Sequence, residues 1–244
     1  MKKTALVTGA NKGLGFETSR TLAKKGIKVW MGARNENRGK AAAEKLQRED
    51  LEVVFLPLDM ADPKSIKKAA DTVNSACDTL DILINNAGLL HEAEGWTENS
   101  TTTIPMEALR ATFETNFFGV VALTQQLLPL LRKSKAANIV NVSSILGSLT
   151  LGNDVTSTVY PSKPFAYNTS KAALNAFTIH LAAALKEENI RVNAAHPGWV
   201  KTDMGTEEAP MSIPEGIKTI VDLALHDSPG YTGRFVHRDD PIPW

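Results

Sequence analysis

The chain predicts a single α/β domain: a doubly wound parallel sheet of about seven strands, with helices on both faces. Short apolar runs alternate with longer stretches of helical spacing along its whole length, and parallel strands need such crossover helices between them. A glycine-rich turn, Gly9-Ala10-Asn11-Lys12-Gly13-Leu14-Gly15, joins the first strand to the first helix. Three long irregular segments, 89–105, 147–164 and 201–214, each follow a predicted strand. They therefore gather at the carboxyl edge of the sheet, where open α/β sheets bind their ligands.

The first strand is Thr4–Thr8, and the helix after the glycine turn runs to Lys25 with Gly26 as its stop. Glycines here let the backbone approach a pyrophosphate, and the helix N-terminus supplies donors and positive potential. The spacing is Gly-x-x-x-Gly-x-Gly, which by itself also describes a tight turn. The second strand, 27–32, ends in Ala33-Arg34-Asn35. An acid at this place binds a ribose 2′-hydroxyl. Arg34 and Lys12 instead suit a 2′-phosphate, hence NADP(H); taken alone, Arg34 reads equally well as a solvated strand end.

A charged surface helix over 36–48 and a buried strand over 52–56 follow. In Leu58-Asp59-Met60, Asp59 can accept from an adenine amino group, or serve as a turn or N-cap residue before the helix from Pro63. The fourth strand, 81–84, ends in Asn85-Asn86-Ala87-Gly88, small and amide residues able to lie against a ribose. The polar run from Thr97 to Thr103 reads as solvated loop or as a pocket rim. A long helix over 106–131 carries Asn116 at its middle; asparagine is an indifferent helix residue, so it faces solvent or has a role.

The strand 137–142 runs into Ser143, Ser144 and Gly147. The next helix has Leu174, Phe177, Leu181 and Leu185 at three- and four-residue spacing. Near its start Tyr167 and Lys171, four apart, share a face. A nearby ammonium favours the phenolate and lowers a phenol pKa toward working range; an isolated Tyr-x-x-x-Lys is otherwise an exposed surface pair. After the strand 190–195 come Pro197, Gly198, Val200 and Thr202, then a helix near 214–225 and a last strand around 234–236. No linker, repeat or low-complexity segment divides the chain.

In the 244 residues, 43% hydrophobic and 22% charged content are those of a globular protein with a sizeable core. Lys plus Arg equals Asp plus Glu at 27 each, so bulk charge points to neither nucleic acid nor an anionic membrane. The lone Cys77 cannot form an internal disulfide, and Ala70, Val73 and Ala76 around it suggest helix packing. With no leader and no apolar run of membrane length, a cytoplasmic protein is expected. His91, His180, His196, His226 and His237 lack metal-ligand spacing, so no metal site is expected.

Six ordered features together resemble the short-chain dehydrogenase/reductase family over nearly the whole chain: Thr8 to Gly15, Asn85-Asn86-Ala87-Gly88, Asn116, Ser144, Tyr167-x-x-x-Lys171 and Pro197-Gly198. Asn11-Lys12, Ala33-Arg34 and the long interval from Ser144 to Tyr167 are similar to its carbonyl-reductase-like branch. The resemblance implies a Rossmann-type fold and hydride transfer between NADP(H) and a carbonyl or alcohol substrate. It implies Tyr167 as general acid/base, Lys171 on the ribose hydroxyls, Ser144 on the substrate oxygen, and Asn116 anchoring a water that links Lys171 to solvent. Ser143 competes for the serine role, but the spacing to Gly147 favours Ser144. Tyr160 is set aside because Pro164 stands where its lysine partner belongs. Thr202 is a candidate for the nicotinamide carboxamide or an N-cap of the following turn. The cofactor set is Gly9, Asn11, Lys12, Gly13, Leu14, Gly15, Arg34, Asp59, Met60, Asn86, Ala87, Gly88, Tyr167, Lys171, Pro197, Gly198, Val200 and Thr202. Enoyl reduction usually goes with a wider Tyr-to-Lys spacing in this family. A catalytically silent NADP-binding sensor or scaffold is the rival from another class. A homodimer or homotetramer is expected, with Ala172, Ala173, Ala176, Ala183 and Ala184 permitting close helix contact.

Overall fold

A computed structural model describes residues 2–91, 93–96, 99–226 and 231–244. Among the described residues, eight strands form one sheet in the order β3-β2-β1-β4-β5-β6-β7-β8. They are β1 (Thr4–Thr8), β2 (Lys28–Ala33), β3 (Val53–Pro57), β4 (Ile82–Asn85), β5 (Ala137–Val142), β6 (Ile190–Ala195), β7 (Phe235–His237) and β8 (Asp240–Pro241). Strands β1 to β7 are parallel and β8 pairs antiparallel with β7. The helices are α1 (Gly13–Lys24), α2 (Glu36–Gln47), α3 (Pro63–Ala76), α4 (Met106–Phe113), α5 (Gly119–Leu131), the short α6 (Leu149–Asn153), α7 (Phe165–Ala184) and α8 (Ile213–Leu225).

Side chains alternate across each strand, and here both faces are covered. Leu6, Trp30, Leu83, Ile139 and Val192 point to one face, where Ile66, Val73, Leu123, Leu127, Leu174 and Leu181 of α3, α5 and α7 pack. Their neighbours Ala5, Val7, Val29, Met31, Ile82, Ile84 and Val140 point to the other, under Leu22, Leu46, Ile220 and Leu223 of α1, α2 and α8. Cys77 caps α3 beside this first layer and accepts from the Trp30 indole N–H at 3.2 Å, a packing role. The strand order reverses between β1 and β4, which opens a crevice at their carboxyl ends.

Two features depart from the expectation. The eighth strand adds an antiparallel edge to the seven expected, through a turn in which Arg238 takes a φ of 56°. No glycine marks that turn, so nothing in the local pattern announces it. The helix over 106–131 is not unbroken either. Between α4 and α5 the chain makes one wide π turn, Glu114–Phe118, with Asn116 at its centre and wholly buried. Such turns inside α-helices concentrate at functional sites. Thr97 and Glu98, in the polar run, lie outside the described residues; Ser100–Thr102 beyond them form a 3₁₀ turn.

Candidate active site

At the crevice the tips of β1 and β4 are tied together. The Thr8 hydroxyl accepts from the backbone N–H groups of Asn86 (3.0 Å) and Ala87 (2.9 Å). The Asn86 amide donates back to the carbonyls of Thr8 (2.8 Å) and Gly9 (3.3 Å). Gly9 has φ +65° and lies so close to β4 that a Cβ there would sit 2.9 Å from Ala87 Cα. Gly13 opens α1 with φ +56°, and Lys12 before it makes no side-chain cap, so no side chain of the cap occupies the N-terminal donors of α1.

The cleft beginning here holds about 880 Å³. It is lined by Gly9, Asn11, Lys12, Gly13, Leu14 and Gly15, by Arg34 after β2, by Asp59 and Met60 after β3, and by Asn86, Ala87 and Gly88 after β4. Of the residues expected to hold a cofactor, Tyr167, Lys171, Pro197 and Thr202 also reach it. Gly198 and Val200 do not line it. Gly198 turns the chain with φ +90°, and Val200 is buried where it bridges to Met211. Asp59 accepts from Ala61 N–H (3.0 Å) as a turn residue, whereas the N-cap of α3 is Asp62. Thr202 is committed to its own turn, accepting from Gly205 N–H at 3.1 Å. Lys12 is ion-paired with Asp203 across the cleft, a partner that the sequence pattern does not announce.

Tyr167 sits in the first turn of α7, only 6% exposed. Burial pushes its phenol up to about 12, an effect that the nearby Ser144 side chain partly offsets. Lys171 lies over the phenol ring, its Nζ 5.7 Å from the centroid, and donates to the Val142 carbonyl at 2.8 Å. Burial lowers Lys171 to about 8. The expected depression of the phenol by Lys171 is therefore reversed in this structure. Desolvation dominates both groups, because burial removes the hydration that a phenolate or an ammonium would keep at the surface.

Of the two serines, Ser143 lines the cleft but its hydroxyl donates to Asn175 Oδ1 at 2.6 Å, whereas Ser144 does not line it and is the one near enough to lower the phenol pKa. Tyr160 is half-exposed on the segment before α7, stacked under Lys163 rather than set in the cleft. Asn116 does not line the cleft. Its Oδ1 accepts from Leu89 N–H (2.7 Å), and its Nδ2 donates to Leu89 O (2.8 Å) and Ser170 Oγ (3.0 Å). It thus pins the loop after β4 to α7. A Cβ on Gly88 would lie 3.7 Å from Lys171 Nζ and 3.9 Å from Asn116 Oδ1, so these two side chains meet across a glycine.

Trp96, Met204 and Glu94 also line the cleft, and no sequence motif singles them out. Trp96 stands edge-on to Tyr167 with ring centroids 5.5 Å apart, and its indole N–H reaches Met204 O at 3.2 Å. All three lie in aperiodic segments, where no spacing pattern distinguishes a wall residue from a solvated one.

Comparison with known proteins agrees with this geometry. The short chain dehydrogenase family profile matches residues 3–212. The (+)-neomenthol dehydrogenase of Capsicum annuum is 31% identical, spanning 97% of this chain and 96% of that protein. Carbonyl reductase (NADPH) 1 of Mus musculus is 34% identical, spanning 100% of this chain and 99% of that one. The crystal structure of the NADPH-bound carbonyl reductase from chicken fatty liver superposes with a TM-score of 0.86 at 29% identity, covering 100% of this chain and 99% of the other. The chain belongs to the short chain dehydrogenase family, and it is an oxidoreductase of that family.

Proposed function

We propose that the protein is an NADP(H)-dependent carbonyl reductase or alcohol dehydrogenase acting on small carbonyl or alcohol substrates in the cytoplasm. The observation that carries the reading is the buried Tyr167, with Ser144 nearby and Lys171 over its ring, in the wall of the glycine-lined cleft. The cradle suits a dinucleotide: Gly9 allows a backbone approach that a side chain would block, and Ala33-Arg34 rather than an acid stand at the end of β2. Gly9 to Gly15 and the start of α1 would hold the pyrophosphate, Asp59 and Met60 the adenine side, and Asn86 to Gly88 with Lys171 the ribose. When bound, the cofactor supplies or accepts the hydride.

The chain's own groups handle the proton. With its pKa held high, Tyr167 is a neutral donor at physiological pH, placed to protonate the carbonyl oxygen as charge builds there. Ser144 shares that oxygen and orients it. Lys171 holds the cofactor and stabilises the phenolate left after transfer, and Asn116 fixes the loop against which both stand. The NADP(H) reading also rests on relatives whose names carry NADPH. Oxidation of NADPH in the presence of aldehydes, ketones, quinones and steroids tests it; no turnover with any of them would refute it.

Cofactor preference gives a second test. Arg34 is exposed at the end of β2, whereas Lys12 has to leave Asp203 before it can meet a 2′-phosphate. One charge-assisted bond contributes about 1.5–3 kcal/mol, so NADPH should bind at least about tenfold better than NADH. The preference should shrink with salt, the site being exposed. Arg34→Ala should raise the KM for NADPH and leave that for NADH nearly unchanged, and equal efficiency of the parent with both cofactors would contradict the assignment.

Assembly through α5 and α7 completes the proposal. Phe118, Ala176, Ile179, Ala183 and Ala184 are exposed on this side, and Ala172 and Ala173 half-buried. Light scattering at micromolar concentration should report a dimer or tetramer; a monomer would count against it.

A further inference from the structure

Glu94 is the only buried carboxylate among the described residues, at 6% exposure, and the mechanism above gives it no part. Its partners explain how it is tolerated. Oε1 accepts from Ala166 N–H (2.9 Å) and from the Ser100 hydroxyl (2.6 Å), and Oε2 accepts from Tyr167 N–H (3.1 Å). Ser100 Oγ in turn accepts from Phe165 N–H at 2.9 Å. The helix α7 begins after Pro164, which offers no capping side chain. Its first three N–H groups would otherwise lack partners, and each is instead satisfied by a side chain from the loop after β4. A carboxylate is well suited to this end of a helix, where the dipole is positive and charge-assisted bonds are strong.

One of those N–H groups belongs to Tyr167 itself. Two residues beyond Glu94, Trp96 stands against the Tyr167 ring and reaches Met204 in the loop after β6. The loop that walls the substrate space and the turn that carries the phenol are thus fastened at one point. We infer that Glu94 is a positioning residue: its carboxylate, with Ser100, fixes the first turn of α7 and so sets the Tyr167 hydroxyl relative to Ser144 and the substrate oxygen. This rests on the proposed acid/base role of Tyr167. Small misplacements of a reacting group carry large rate penalties, about 100-fold for an ångström, so a cap acting directly on the Tyr167 backbone has leverage on turnover.

Glu94→Gln tests this with little change of shape. The amide oxygen can keep the bonds to Ser100 and Ala166, but an NH₂ group then faces the Tyr167 N–H. On whichever carbonyl the parent reduces fastest, kcat should fall about 10–100-fold. The dissociation constant for NADPH, measured by fluorescence titration, should stay within about twofold, because the glycine loop is untouched. In cofactor-free protein, hydrogen exchange at Phe165–Tyr167 should accelerate while the middle of α7 keeps its protection. Ser100→Ala, which spares the carboxylate, should act in the same direction but less, and it decides the matter if Glu94→Gln does not fold. Turnover within twofold of the parent together with unaltered exchange at the start of α7 would overturn the inference. If the parent itself reduces no carbonyl, the functional reading falls, and the exchange measurement alone decides whether Glu94 holds the Tyr167 turn.

Discussion

Tyr167→Phe should lower turnover by about 10²–10⁴-fold, the usual share of a general acid, with NADPH affinity nearly unchanged. Hydride addition builds negative charge on the carbonyl oxygen, and a donor placed there stabilises the transition state more than the ground state. The substitution removes one hydroxyl from a residue that α7, Trp96 and the first-turn cap otherwise hold in place. Ser144 accepts from the Leu146 N–H at 3.2 Å independently of the phenol, so the local fold should survive. Tyr160→Phe is the control. Its ring lies under Lys163 outside the cleft, and turnover should stay near the parent value. Parent-like turnover by Tyr167→Phe, on a substrate whose chemical step limits the rate, would mean the proton comes from elsewhere.

Lys171→Met should reduce both NADPH affinity and turnover, since the ammonium is assigned to the ribose and to the phenol. It should also make the cofactor-free protein more stable at neutral pH. Burial lowers Lys171 from its usual 10.5 to about 8. Between these values the unfolded chain holds the proton and the folded chain releases it, so stability rises with pH through the window. The cost of burying the ammonium is absent above about 10.5 and grows to roughly 3 kcal/mol as pH falls to 8. Losing the bond to Val142 O takes back about 1 kcal/mol. Above pH 10 the raised Tyr167 phenol adds a slope of opposite sign, so pH 8 to 10 is the clean interval. Urea unfolding of both proteins across it should show the parent gaining on the variant; parallel curves would contradict the assigned burial cost.

The parts of the fold legible in the sequence are those where burial imposes a pattern. Strands β5 and β6 run over 137–142 and 190–195 as expected, because central parallel strands are buried on both faces and read as mainly apolar runs, here with Asn138, Asn141, Arg191 and Asn193 buried among them. The eighth strand is two residues long and leaves no such trace. The π turn is hidden for a different reason: it keeps helical spacing on both sides, and only Asn116, an awkward residue for a helix, marks the place. Around the cleft, motif residues are legible because strand ends and the glycine turn constrain residue type. Glu94, Trp96 and Asp203 are not, since their roles come from contacts with Tyr167, Met204 and Lys12 far along the chain. Proximity of Lys171 to Tyr167 follows from helical spacing. The desolvation that governs both groups does not, because it depends on what the other elements place over them.

In the proposed mechanism this site moves a hydride to a carbonyl carbon while Tyr167 supplies the proton. The most direct test uses NADPH carrying deuterium at the transferable position of the nicotinamide ring, with a ketone that the protein reduces, and mass spectrometry of the product. The expected product is an alcohol with one deuterium on the carbinol carbon, formed in equal amount to the NADPH consumed. An unlabelled alcohol, deuterium placed across a carbon–carbon double bond, or tight NADPH binding without any transfer would contradict this mechanism.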